Sequence, residues 1–151
     1  IKKIYSVESC LEHHLKLKEL CENKDKITFI YSEMDVKPNT WGHPGINATD
    51  EQKINYSNHI RKLSKLEQEQ IDLILIDGRF RVSCCLKCFD IINENTHILF
   101  DDFMYRPEYH IVLKYFDIIE KTNDNCMVCL KKKSDIVIDQ KDILDYNLEE
   151  N

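Results

Sequence analysis

Short apolar segments alternate with segments of helical spacing along this chain, and that alternation limits the fold more than any other feature. The apolar segments, rich in β-branched and aromatic residues, are 2–8, 26–33, 71–77 and 96–103. Segments 11–20, 51–69 and 81–93 carry apolar residues at the spacing of an amphipathic helix. This order predicts an α/β fold with a doubly wound, mostly parallel sheet. Residues 71–77, IDLILID, are typical of a central strand covered on both faces.

The last third of the chain predicts how this sheet is closed. Pro107 suits the first turn of a helix that continues over residues 108–115. Segments 116–122 and 126–133 then flank an Asn-Asp-Asn turn in the manner of an antiparallel hairpin. We therefore expect one domain over residues 1–133, with 134–151 forming a last helix or an extension.

Composition excludes several classes of protein. The 151 residues suit one domain, and 42% hydrophobic with 32% charged residues is typical of a globular protein. No segment approaches the ~18 unbroken apolar residues of a membrane span, so we expect no membrane partner. The net charge of −6 argues against a nucleic-acid partner, which requires concentrated Lys and Arg. Seven cysteines, an odd number, without a signal peptide predict free thiols in a reducing, cytoplasmic compartment.

Carboxylates follow the predicted strands. These acids are Glu8, Asp35, Asp77, Asp101 and Asp102. Ligands of doubly wound sheets bind beyond the carboxyl ends of the parallel strands, where these side chains are expected. Each acid could instead cap the following helix, because the helix dipole favours negative charge there.

Asp77, Asp101 and Asp102 should lie close together, since they end adjacent strands. Three close carboxylates repel one another unless an opposite charge is present. Mg²⁺ prefers carboxylate and water ligands and would supply that charge. The guanidinium group of Arg79 or Arg81 is the alternative.

The order and spacing of these acids resemble those of the class I S-adenosylmethionine-dependent methyltransferases, most closely the metal-dependent O-methyltransferases, over about residues 2–133. The resemblance implies a Rossmann-like sheet and S-adenosylmethionine as cofactor. It implies that Glu8 in IYSVE holds the ribose hydroxyls and that Asp35 lies near the adenine. It also implies that Asp77 in LILIDG, with Asp101 and Asp102 in ILFDDF, holds Mg²⁺, so that Asp77 is a catalytic residue.

The chain departs from this family at its start. The family's first strand and glycine-rich turn are missing, and no glycine precedes Gly42. That strand lies centrally in the family sheet, so its absence should split the sheet. We expect upstream residues or other domains of a longer chain to supply it; a natural degenerate fold is the alternative.

Several arginines and histidines are expected near the acceptor. Arg79 and Arg81 stand where metal-dependent relatives often place a lysine base, and arginine cannot take that role. Arg106, Tyr109 and His110 begin the helix after the acidic pair and could face an acceptor, although His110 could equally be a surface residue. The base is then His110, His43 or a metal-bound hydroxide.

Three weaker signals have alternative interpretations. Trp41, in the WGHPG turn of the longest predicted loop, could form a wall over the cofactor or acceptor, or simply cap the core. The CxxC pairs at 85–88 and 126–129 are interpreted as buried free cysteines rather than a zinc site. His13 and His14 lie on a charged helix and are expected to be solvated.

The sequence thus predicts a methyltransferase that moves the methyl group of S-adenosylmethionine to a hydroxyl oxygen of a small-molecule or glycan acceptor, with Mg²⁺ assisting. A cofactor-free Rossmann-like module for binding or assembly is the alternative. A metal-dependent glycosyltransferase that uses Asp101 and Asp102 is a third hypothesis, but it does not require Glu8 and Asp35.

Overall fold

The computed structural model describes residues 2–150, in which the chain forms six β-strands and five α-helices. The strands are β1 (Ile4–Glu8), β2 (Ile27–Tyr31), β3 (Leu73–Ile76), β4 (His97–Phe100), β5 (Phe116–Lys121) and β6 (Val128–Lys132). The α-helices are α1 (Leu11–Leu20), α2 (Asp50–Ser57), α3 (Lys65–Glu69), α4 (Arg81–Cys88) and α5 (Gln140–Asp145). Short 3₁₀ helices cover Lys24–Lys26, His59–Lys62 and Pro107–Lys114. No helix among the described residues is long and apolar enough to cross a membrane.

The chain divides into two compact units, an N-terminal unit (Ile1–Tyr56) and a C-terminal unit (Ser57–Asn151). In the N-terminal unit, β1 and β2 pair in parallel along their full length. Helix α1 is anchored by His14, which is 7% exposed and whose ring centroid lies 5.6 Å from that of Tyr31. The prediction that His14 is solvated is therefore wrong. The leucines of α1 are the exposed residues instead, namely Leu11, Leu15, Leu17 and Leu20.

The C-terminal unit contains a four-stranded sheet in the order β3-β4-β6-β5. Strands β3 and β4 are parallel, and β6 runs antiparallel to both β4 and β5. The predicted hairpin is thus confirmed. Helix α4 covers this sheet because Val82, Cys85, Leu86 and Phe89 recur at helical spacing and are all buried.

The predicted α/β class, with parallel strands and a closing antiparallel hairpin, is confirmed. The strands form two separate sheets in the described residues. Strand β3 pairs there with β4 alone, and Leu73 and Leu75 are 58% and 60% exposed. The prediction of a central strand covered on both faces is therefore wrong for β3.

The predicted helix over residues 51–69 is interrupted. Helix α2 ends at Ser57, and α3 begins anew after Ser64. The Ser64 hydroxyl accepts from the Glu67 amide, and the Glu67 carboxylate accepts from the Ser64 amide. This capping box stabilises a second helix start, so helical spacing alone overestimated the length of the element.

The C-terminal residues fold back onto the core of their own unit. Ile138 and Ile143 are buried in it, at 4% and 7% exposed. Asp142 accepts hydrogen bonds from the Tyr115 hydroxyl (2.5 Å) and from Lys114 Nζ (2.8 Å). Of the two alternatives for the tail, a last helix is therefore correct.

A lysine is buried beside this core. Lys87, on α4, is 3% exposed, and its Nζ donates to Ser57 Oγ at 2.6 Å. The Ser83 hydroxyl lies 3.1 Å from the same oxygen. Burial lowers the pKa of Lys87 to about 8, because the charged ammonium loses its hydration.

This burial predicts an unusual pH dependence. Between pH ~8 and ~10 the unfolded chain still holds a lysine proton that folded Lys87 has lost, so stability should rise with pH relative to Lys87→Met. The relative gain should approach roughly 3 kcal/mol. Urea denaturation from pH 7 to 10 measures it, with exposed Lys65→Met as the control. Parallel curves for wild type and Lys87→Met would contradict a depressed pKa.

Candidate functional site

Glu8 ends β1, and its two carboxylate oxygens differ. Oε1 accepts at 2.7 Å from the amide of Cys10, the residue that precedes α1. Oε2 has no hydrogen-bond partner within residues 2–150. Glu8 also lines a cavity of about 290 Å³ with His13, Lys16, Leu17 and Leu20. Within the described chain no side chain caps the start of α1, so the helix-cap alternative does not apply to Glu8.

Asp35 organises the loop that follows β2. Its Oδ2 accepts from the Asn47 amide at 2.9 Å, and its carbonyl accepts from the Gly45 amide at 2.8 Å. A Cβ atom added at Gly45 would lie 2.1 Å from Asp35 Oδ2, so the carboxylate occupies the space that glycine leaves. The bridge between Val36 and Pro44 closes the same turn. Asp35 thus has a structural role in this loop.

The other two loop candidates, Trp41 and His43, lie on the turn closed by that bridge. Trp41 is 90% exposed and adopts a left-handed backbone conformation, with φ of 50°. It does not cap the core, and its role as a wall over a ligand stays a prediction. The His43 amide donates to the Thr40 carbonyl at 3.1 Å, and its carbonyl accepts from Lys37.

In the C-terminal unit, the structure brings Asp77, Asp101 and Asp102 together around Arg81. The Arg81 side chain is 8% exposed. Its Nη2 lies 3.5 Å from Asp77 Oδ1 and 3.4 Å from Asp102 Oδ2, and its Nη1 lies 3.5 Å from Asp101 Oδ2. Arg81 therefore supplies the opposite charge that the clustered acids require.

Backbone contacts fix Arg81 in this position. Its Nε donates to the Gly78 carbonyl at 2.9 Å, and its Nη1 donates to the Asp101 carbonyl at 2.7 Å. These carbonyls follow β3 and β4, respectively. One guanidinium group thus joins the carboxyl ends of two parallel strands.

Asp77 is the most exposed acid of the cluster, at 60% against 24% for Asp101. Partial burial, a hydrogen bond shared with Asp101 and the negative charges of Asp101 and Asp102 raise the pKa of Asp77, while Arg81 opposes the shift. The cluster is therefore only partly compensated, and Asp77 takes up a proton more readily than an ordinary aspartate.

Arg79 and Arg106 differ in their surroundings. Arg79 is 9% exposed, and its Nη2 donates to the Glu150 carbonyl. Arg106 is 39% exposed and lies 3.4 Å from Asp102. The guanidinium carbons of Arg81 and Arg106 lie 5.9 Å and 5.6 Å from the centre of the buried Tyr109 ring. Tyr109, which the sequence also predicts to face the acceptor, thus lies beside two of the three predicted acceptor arginines, Arg81 and Arg106.

His110 lies beside Phe103 with ring centroids 5.1 Å apart. Its Nε2 is 3.2 Å from the Phe103 carbonyl, and a carbonyl can only accept. Nε2 therefore carries a proton, and a neutral His110 keeps the lone pair of Nδ1 for an incoming proton.

Cys126 is a candidate ligand that sequence spacing does not connect with the acids. Its Sγ lies 3.6 Å from Asp101 Oδ1 and 3.5 Å from Asp102 Oδ1. One ligand atom from each of these residues falls within 4.8 Å of the others, and they are the only such metal-ligating group among the described residues. All seven cysteines are free thiols. Cys85 and Cys88 are buried, as predicted, whereas Cys126 and Cys129 are only partly buried.

Comparison with known proteins gives a structural match. No family model and no curated protein sequence matches the chain. Its fold is similar to that of a methyltransferase-like protein from Silicibacter pomeroyi DSS-3, with a TM-score of 0.77. The two are 19% identical, and the match covers 95% of this chain and 75% of the other. The chain therefore has a Rossmann-like, methyltransferase-like α/β fold, as its sequence predicted.

The acid cluster yields a stability prediction. Arg81→Met should lower the free energy of unfolding by about 3 kcal/mol, because three carboxylates lose their shared cation. Arg106→Met should cost less than about 1 kcal/mol, since that arginine is 39% exposed and Asp102 is the one carboxylate with which it pairs among the described residues. Chemical denaturation of both variants at pH 7 measures the difference.

The pH dependence of the Arg81→Met loss distinguishes charge from packing. If the loss comes from uncompensated carboxylates, it should shrink as pH falls toward ~4 and the acids take up protons. A loss that is constant with pH, or equal for the two arginines, would show that Arg81 acts through its bulk.

Proposed function

We propose that this chain is an S-adenosylmethionine-dependent methyltransferase that methylates a hydroxyl oxygen of a small-molecule or glycan acceptor. The observation that supports it most is the methyltransferase-like fold, which ends β1 in a carboxylate with one unpaired oxygen. The proposal assigns the cofactor to Glu8, with Asp35 and Trp41 in the following loop. It assigns the acceptor to the arginines of the C-terminal unit.

The geometry at Glu8 suits the ribose part of the cofactor. A carboxylate oxygen without a partner can accept from a ribose hydroxyl while the other oxygen keeps its bond to Cys10. The adjacent cavity of about 290 Å³ is at the lower end of the ~300–1,000 Å³ typical of ligand sites. It suits part of the cofactor, and no glycine before Gly42 offers the close backbone approach that the methionine part needs.

Methyl transfer depends mainly on how the protein positions the cofactor and the acceptor. The acceptor oxygen attacks the methyl carbon of the sulfonium group, the carbon–sulfur bond breaks, and the hydroxyl proton leaves to a base. His110 suits the role of base because its Nε2 is tied to the Phe103 carbonyl while Nδ1 stays available. His43 is the second candidate.

Metal assistance depends on what compensates the acid cluster. The sequence suggested Mg²⁺ on Asp77, Asp101 and Asp102, but Arg81 lies 3.4–3.5 Å from all three. This contact supports the alternative in which a guanidinium group supplies the charge, and we propose a transfer that needs no cation at these carboxylates. Asp101, Asp102 and Cys126 are the residues that could hold a metal if one assists. The thiol would favour a softer ion than Mg²⁺.

Cofactor binding tests the proposal. Glu8→Gln should weaken S-adenosylmethionine binding about tenfold or more, because a charge-assisted hydrogen bond to ribose is lost. The glutamine oxygen can still accept from the Cys10 amide, so the segment between β1 and α1 should keep its structure. Isothermal titration calorimetry with S-adenosylmethionine measures the affinity.

Glu19→Gln, an exposed acid on α1, is the matched control and should leave the affinity unchanged. Equal affinity of wild type and Glu8→Gln would remove Glu8 from the cofactor site. A protein that binds neither S-adenosylmethionine nor its demethylated product would favour the binding or assembly module over the enzyme.

A further inference from the structure

Arg79 is buried directly after β3, and only part of its guanidinium group is satisfied. The side chain is 9% exposed, and Nη2 donates to the backbone carbonyl of Glu150. Nε is buried and has no hydrogen-bond partner within residues 2–150. Arg79 makes no ion pair with a carboxylate in that range, in contrast to Arg81 and Arg106. A buried donor without a partner costs free energy. An acceptor bound at Arg79 Nε would remove that cost.

The shape of the guanidinium group indicates which acceptor fits. The Nε and Nη2 hydrogens point to the same side, so a group with two oxygens can accept from both at once. A backbone carbonyl has one oxygen and satisfies one donor. The Glu150 carbonyl thus satisfies Nη2 alone, whereas a carboxylate or phosphate group can accept from both Nη2 and Nε.

A second buried donor lies in the same neighbourhood. Tyr109 is fully buried, and its hydroxyl has no hydrogen-bond partner among the described residues. Burial and the negative charge of Asp102 raise the pKa of Tyr109, while the positive charges of Arg81, Arg106 and Arg79 lower it. The Tyr109 hydroxyl is therefore a second buried donor close enough to Arg79 to feel its charge, and it can donate to an anion bound there.

The contact between Arg79 and Glu150 is made by the chain that follows the last helix. The anchors of the tail, Ile143 and Asp142, precede the end of α5 at Asp145. Beyond it, Leu148 is 41% exposed. Residues 148–150 therefore form a short strap over Arg79.

We propose that Arg79, assisted by the Tyr109 hydroxyl, is a binding site for a two-oxygen anion, a carboxylate or phosphate group, and that the strap occupies this site in competition with that anion. Within the proposed methyltransferase function, on which this step rests, the acceptor carries such a group and displaces the strap when it binds.

Arginine side-chain NMR tests the site without the cofactor. Inorganic phosphate and acetate are titrated separately into the protein while the Arg79 Nε–H resonance is followed. Removal of residues 148–151 should tighten binding of the preferred anion about tenfold, since the competing carbonyl is lost. Arg79→Lys should weaken anion binding about tenfold or more, because an ammonium group lacks the two parallel N–H donors of a guanidinium group. The anion that binds more tightly, phosphate or acetate, identifies the acceptor group as phosphate or carboxylate.

Two controls separate the alternatives. The double variant Glu149→Gln, Glu150→Gln removes the acidic charges but keeps the carbonyl, so it should gain less affinity than the truncation; an equal gain would overturn the role of the strap. Arg61→Lys, a surface arginine paired with Asp90, should change nothing. If neither anion shifts the Arg79 resonance even in the truncated protein, the site itself is refuted. That result would leave S-adenosylmethionine binding, measured separately, unaffected.

Discussion

The guanidinium group of Arg81 is the contact on which the functional edge of the C-terminal unit depends. It donates to the carbonyls of Gly78 and Asp101 and lies against three carboxylates, so it holds together the segments that leave β3 and β4. Without an internal cation, the acids that the parallel strands bring to this edge would repel one another. The edge is therefore organised by a side chain of the protein.

Two neighbouring arginines have different partners at this edge. Arg81 contacts the three carboxylates. Arg79, two residues earlier, has a buried Nε without a partner and pairs with no carboxylate in the described chain. The same edge thus combines a partly compensated acidic cluster with a buried donor that no described residue satisfies. In the proposed function, this surface would hold an anionic acceptor, and His110 would add a ring nitrogen with a lone pair.

The sequence predicted the fold well because alternation of strand and helix patterns, together with the turn before Cys126, depends on local chemistry. It also predicted that acids would meet near Arg81, since the ends of parallel strands share an edge. It failed where a residue's environment depends on distant partners. The spacing of Ile74 and Ile76 shows which side chains of β3 share a face, but not that the opposite face lacks a cover. Cys126 was grouped with Cys129 by spacing, although the fold places its sulfur beside Asp101 and Asp102.

A paramagnetic titration tests most directly whether Arg81 takes the place of a metal ion. Mn²⁺ broadens the NMR resonances of nuclei close to where it binds, and the amides of Asp77, Asp101 and Asp102 report on this cluster. The account predicts that low concentrations of Mn²⁺ leave these resonances of the wild type sharp and broaden them in Arg81→Met, where the carboxylates have lost their cation. Selective broadening of the same resonances in the wild type would contradict it, because a divalent ion would then bind beside Arg81.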